Sequence, residues 1–128
     1  VLGALPGGLH HDQSLRERQR CEVIRYIDRH LPDPTLSVSQ IANVHRISKR
    51  YLHWLFRDQS VTVNALIILK RLAGCQKDLS SPVGAHLQIG QIAYAWGFSN
   101  ISHFSKRYRA HYGESPTETR RRAADELG

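Results

Sequence analysis

Apolar positions fall at helical spacing in one segment of the chain after another. In LRERQRCEVIRYIDRHL, Val23, Ile24, Ile27 and Leu31 share a face, with Ser14 as a cap and Pro32 and Pro34 as a stop. Ser37 followed by Gln40 is a capping-box pattern that opens a short helix through Val38, Ile41 and Ala42. Ser48 caps a further helix, KRYLHWLFRD, with Tyr51, Leu52, Leu55 and Phe56 turned inward. Lys49, Arg50, His53, Trp54 and Arg57 are left on its outer side or edges. From Thr62 to about Leu79 runs a longer helix, roughly 25 Å of it, apolar on more than one side near its start and so expected to touch two bodies. SSPVGAH, from Ser80, reads as a loop.

The stretch QIAYAWGFSNISHFSKRYRAHY, from Gln91 to Tyr112, carries the most information. Ile92, Ala93 and Trp96 are candidate buried positions of a short helix that Gly97 cuts off, and a second helix resumes after Ser99. Glycine supplies the positive φ of a tight turn, and a small Ala93 lets the second helix cross closely, which together describe a helix-turn-helix. From Gly97 to Gly113 there is no Asp or Glu, while Lys106, Arg107 and Arg109 are cationic and His103 and His111 can become so. Such a helix presents a positive face, as a major-groove reader must. Ser115, Pro116 and Glu118 then start a last helix, which carries Arg120, Arg121 and Arg122.

The unit occurs twice. LSVSQIANVHRIS (Leu36 to Ser48) aligns with LQIGQIAYAWGFS (Leu87 to Ser99) at an offset of 51 residues, Gln-Ile-Ala on Gln-Ile-Ala and Ser on Ser. A basic helix follows each, with Phe56 in the first and Tyr108 in the second as the inward aromatic. The expected organisation is all-α: a flexible lead-in at 1–13, a first helix-turn-helix subdomain at 14–61, a linker helix at 62–79, a second subdomain at 80–122 and a frayed tail at 123–128. Two such units could enter successive major grooves on one side of a duplex, roughly 34 Å apart.

Composition narrows the function. The 128 residues carry 18 Lys and Arg against 11 Asp and Glu, a net +7 that favours a polyanionic partner. Cys21 and Cys75 sit inside helical patterns and read as reduced, small core residues. No apolar run approaches a membrane span, and VLGALPGGLHH lacks the layout of a signal peptide. The chain has no Met and begins without an initiator, which points to processing or, in preference, to a fragment of something longer. Catalysis finds no support: there is no His-Glu-x-x-His, no Cys-x-x-Cys and no Gly-rich phosphate loop, so no catalytic or metal-binding residue is assigned. RNA binding is disfavoured by the lack of a strand platform with stacking aromatics.

The signature IGQIAYAWGFSNISHFSKRYRAHYGESPTETR resembles that of the AraC/XylS family of bacterial transcription regulators: the Ile-Ala pair, the Gly-Phe after it, Ser-x-Phe, Tyr108, Gly113 and Ser115-Pro116. Leu52, Leu55-Phe56 and Arg71-Leu72 add weaker support, and the likeness spans about Ser14 to Arg122. The resemblance implies about seven helices, two DNA-reading units and a connecting helix, working in the bacterial cytoplasm, most often in an activator. It implies double-stranded DNA and RNA polymerase as partners, no cofactor and no membrane, with dimerisation and effector binding in a separate N-terminal domain to which nothing here corresponds. Carried across, base edges would be met by Arg50, His53 and Trp54 in the first unit, and by Asn100, Ile101, Ser102, His103 and Lys106 in the second. Lys49, Arg57, Arg107 and Arg109 would meet phosphates. Arg50 can grip guanine bidentately, Asn100 can pair with adenine, and Ile101 or Trp54 can touch a thymine methyl. Departures from the family pattern are Arg46 where the first turn usually has Gly, Ser60 where many relatives have Gly, and Trp54 where Arg is frequent. The competing reading is a basic helical protein-interaction module without sequence-specific DNA reading, for which the sequence offers Arg120 to Arg122 and the mixed-charge first helix.

Overall fold

The computed structural model describes residues 4–127, with side chains from residue 13 on. Among these residues there are seven α-helices and no strand: α1 (Ala4–His30), α2 (Val38–Val44), α3 (Lys49–Leu55), α4 (Val63–Leu79), α5 (Ile89–Ala95), α6 (Ile101–Tyr112) and α7 (Pro116–Leu127), with a 3-10 turn at Gly84–His86. None of them is long and apolar enough to cross a membrane.

Most helix starts are where side-chain chemistry puts them. Ser37, Ser48, Thr62 and Ser115 each accept a hydrogen bond from the backbone N–H three residues on, at 3.0 to 3.1 Å. Ser14 does not: it lies inside α1, which begins at Ala4. The expected lead-in at 1–13 is therefore helical from Ala4; its first three residues lie outside the described part. Pro6 falls in the first helical turn, where a missing N–H costs no intrahelical bond. The expected frayed tail is likewise helical to Leu127, because Ala123 is buried and Arg122 pairs with Glu126 one turn on at 3.2 Å.

The chain divides into two compact units. The first comprises residues 1–30 and 36–66, the second 31–35 and 67–128, so the division falls inside α4. In the first unit Val23 and Ile27 of α1, Ile41 and Ala42 of α2, and Leu52, Leu55 and Phe56 around α3 are buried together with Val63. Cys21 is exposed, so only Cys75 is the core cysteine that the helical pattern suggested for both.

The second unit closes around Leu72, Cys75, Leu79, Ile92, Ala93, Phe98, Phe104 and Tyr108. Burial, with Asp78 nearby, pushes the Cys75 thiol up to about 12. Two polar devices complete this core. The Arg71 side chain is buried and donates from Nε to the Leu31 carbonyl (3.0 Å) and from Nη2 to that of Asp33 (2.7 Å). Burial lowers the pKa of this guanidinium, and Asp33 counters part of that shift. Between α6 and α7, the Tyr108 hydroxyl donates to buried Thr119 at 2.8 Å, and Thr119 donates in turn to Glu114. Hydrogen bonds from Arg122 and Thr119 hold the half-buried Glu114 carboxyl below its ordinary range.

Candidate nucleic-acid interface

The duplicated element is a pair of short helices around a turn. Helices α2 and α5 have seven residues each and start 51 apart, and Ile41 and Ile92 are both fully buried. Their turns repeat the same backbone bonds: Arg46 N to Asn43 O and Gly97 N to Tyr94 O, then Ile47 N to Ala42 O and Phe98 N to Ala93 O, all within 3.0 to 3.2 Å. Both turns use positive φ, +101° at Gly97 and +55° at Arg46, the one non-glycine with positive φ among the described residues.

After the turn the two copies slip by one residue. Ser48 caps α3, but its counterpart Ser99 does not cap α6; Asn100 does, accepting from His103 N–H at 3.0 Å. The second helices therefore correspond at an offset of 52. This sets buried Leu52 on Phe104 and Phe56 on Tyr108, and on the exposed side Arg50 on Ser102 and Trp54 on Lys106. The aromatic pair read from sequence is correct, while the Ser-on-Ser match holds in sequence and not in capping role.

On α6, Ser102, His103 and Lys106 lie exposed, with Ser102 and Lys106 one turn apart on the face opposite Phe104 and Tyr108. Arg107 and Arg109 are exposed at its flanks. Ile101 is exposed in part and leans on α5: a Cβ at Gly90 would stand 2.9 Å from its Cδ1. Asn100 uses its carbonyl oxygen for the cap, so a bidentate grip on adenine would cost α6 that bond.

On α3, Lys49, Arg50, His53 and Arg57 are exposed, and Arg50 and Trp54 share the face away from the core. Trp54 is half-buried and already engaged. The guanidinium carbons of Arg16 and Arg57 each lie 4.4 Å from its ring centroid, and Tyr51 stacks on it at 5.4 Å. The first helix reaches α3 at three points within about one turn: Arg16 at Trp54, Gln19 accepting from the Tyr51 hydroxyl (2.6 Å), and Arg20 Nη1 donating to the Leu55 carbonyl (3.0 Å). The mixed charge of the first helix did not by itself show these contacts. The signal was Arg16, Gln19, Arg20 and Val23 at helical spacing, continuous with the buried stripe.

The arginines of α7, by contrast, are partly structural. Arg120 donates to the carbonyls of Gly84 (3.2 Å) and Leu87 (2.7 Å), and Arg122 pairs with Glu114 at 3.0 Å. Among the described residues no three His, Cys, Asp or Glu side chains form a metal-ligating cluster.

The family model described as a helix-turn-helix domain matches residues 41–122, which span both turns. The chain belongs to this family, in its AraC type. It is 31% identical over 98 residues to the transcriptional activator RhrA of Rhizobium meliloti (strain 1021), covering 77% of this chain and 31% of that protein. It is 28% identical over 116 residues to the transcriptional activator NphR of a Rhodococcus species, covering 91% of this chain and 32% of the relative. The chain thus spans about a third of the length of these curated relatives. Among solved structures, an AraC-type DNA-binding-domain regulator from Chromobacterium violaceum superposes with a TM-score of 0.74 at 28% identity, covering 84% of this chain and 94% of that one. A probable AraC family regulator from Rhodopseudomonas palustris CGA009 gives 0.70 at 27% identity, covering 83% and 97%. The AraC-type domain is a DNA-binding module of transcription regulators, and its all-α fold is the one found here. The protein-interaction reading is not favoured.

Proposed function

We propose that this domain is a non-catalytic reader of duplex DNA that inserts α3 and α6 into two successive major grooves for an activator. The reading rests on the duplicated helix-turn-helix with an acid-free second helix: a face of Ser102, His103 and Lys106, flanked by Arg107 and Arg109, meets no carboxylate on its own helix. In this scheme Lys106, Ser102 and His103 meet base edges from α6, with Asn100 and Ile101 at its start. Arg50 and His53 do so from α3, with Trp54 beside them. Lys49, Arg57, Arg107 and Arg109 hold phosphates and so set register. The whole protein, working in the bacterial cytoplasm, would add contact with RNA polymerase and a separate domain for effector binding and dimerisation. Support for that larger scheme comes from the activators named among the longer relatives.

Selection from a random duplex pool tests this directly. Two enriched boxes about one helical turn apart are expected. Lys106→Ala and Arg50→Ala should each weaken binding to the selected duplex with helicity unchanged by circular dichroism. Two mutants that bind like the parent would refute the assignment of the reading helices.

A further inference from the structure

The stacking at Trp54 assigns a DNA contact to a helix outside the helix-turn-helix. We propose that Arg16 of α1 is a phosphate ligand, held beside the first reading helix by Trp54, and that Trp54 acts as a platform for cations and not as a base reader. This rests on the DNA-binding reading above.

Arg16 is exposed, yet its guanidinium carbon lies 4.4 Å from the Trp54 ring centroid. An arginine over an aromatic ring is held by the ring quadrupole while its N–H donors stay available to oxygen acceptors. Arg57 lies at the same distance from the same ring. Two like charges are thus gathered on one side chain of α3, an arrangement that stabilises neither arginine against the other and suits a phosphodiester between or beside them. Asp58 pairs with Arg57 at 3.5 Å, but both side chains are largely exposed, at 53% and 82%, so that pair exchanges readily for a phosphate.

The position of Arg16 is fixed by more than the ring. Gln19 and Arg20, three and four residues on, are hydrogen-bonded to Tyr51 and to the Leu55 carbonyl, so α1 is aligned along α3. Trp54 corresponds to Lys106 in the second unit, where the same helix position carries a cation directly. The first unit places its positive charge there indirectly, through Arg16 and Arg57 on the tryptophan.

The test measures affinity against salt for the parent, Arg16→Gln, Trp54→Leu and Lys106→Ala, on a pool-selected duplex and on a random-sequence duplex. Losing one phosphate contact lowers the slope of log K against log[salt] by about 0.9. Arg16→Gln should show that drop on both duplexes, with the base preference recovered by selection unaltered. Trp54→Leu should weaken both duplexes by a similar factor without relaxing any single base position. A parental salt slope in Arg16→Gln, with Lys106→Ala weakened on the selected duplex, would overturn the role of Arg16 and leave the DNA reading standing. Relaxed preference at one base in Trp54→Leu would make Trp54 a base reader and overturn the platform. A parent without enrichment or salt-steep binding would refute both readings together.

Discussion

The turns at Arg46 and Gly97 are the same backbone device built under different constraints. Both make the same pair of hydrogen bonds and both need positive φ. Arg46, at +55°, sits in the small left-handed region open to any L-residue at a cost of roughly 1–2 kcal/mol, and its side chain is exposed. Gly97, at +101°, lies outside that region and is buried. A Cβ there would stand 2.2 Å from the Leu31 carbonyl oxygen and 2.7 Å from Arg71 Nε. Positive φ therefore makes glycine preferable in this motif, while close packing makes it obligatory. The first unit tolerates arginine because its turn faces water.

The contrast predicts a large asymmetry between substitutions. Gly97→Ala should cost about 3–4 kcal/mol, because strained φ and collision with fixed backbone act together. Urea unfolding followed by circular dichroism measures it, and a loss below about 1 kcal/mol would mean the second turn has room to spare.

Arg71→Met removes the brace against which Gly97 packs. It leaves the Leu31 and Asp33 carbonyls without their charged donor, for an expected loss of about 2–3 kcal/mol. Combining it with Gly97→Ala sharpens the comparison: the two share one contact, so the double mutant should lose less than the sum of the single losses. Strict additivity would show that Arg71 does not enforce the glycine.

The smallest effect is expected from Arg46→Gly. Relief of left-handed strain outweighs the chain entropy of glycine, itself roughly 0.5–1 kcal/mol, and should stabilise the protein by about 0.5 kcal/mol. Destabilisation by Arg46→Gly would break the comparison, since it would mean that the Arg46 side chain makes a contact worth more than the strain.

Much of this molecule is local and so was legible. Serine and threonine caps, proline stops and apolar periodicity each act within one helical turn, which is why α2, α3, α4 and α7 begin where their residues indicate. The repeat was legible too, because Gln40-Ile41-Ala42 and Gln91-Ile92-Ala93 meet the same packing demand. The slip after the turn was hidden: Ser99 is as good a cap as Asn100 by type, and the burial of Phe104 and Tyr108 selects Asn100. The helical reach of α1 back to Ala4 escaped as well, since Pro6, Gly7 and Gly8 are poor helix formers in isolation.

Among the site residues, the exposed face of α6 followed from periodicity, because Phe104 and Tyr108 point one way and Lys106 must point the other. Periodicity could not show that Trp54 would gather Arg16 and Arg57, or that Arg120 and Arg122 would be spent on Gly84, Leu87 and Glu114. Sequence by itself determined the helices, their duplication and the sign of the charge they present, since these depend on neighbours within a few residues. Only the tertiary structure decided which cations remain free and which glycine is indispensable. Those outcomes depend on groups far apart in the chain, Leu31 with Gly97 and Arg16 with Trp54, meeting within a few ångströms.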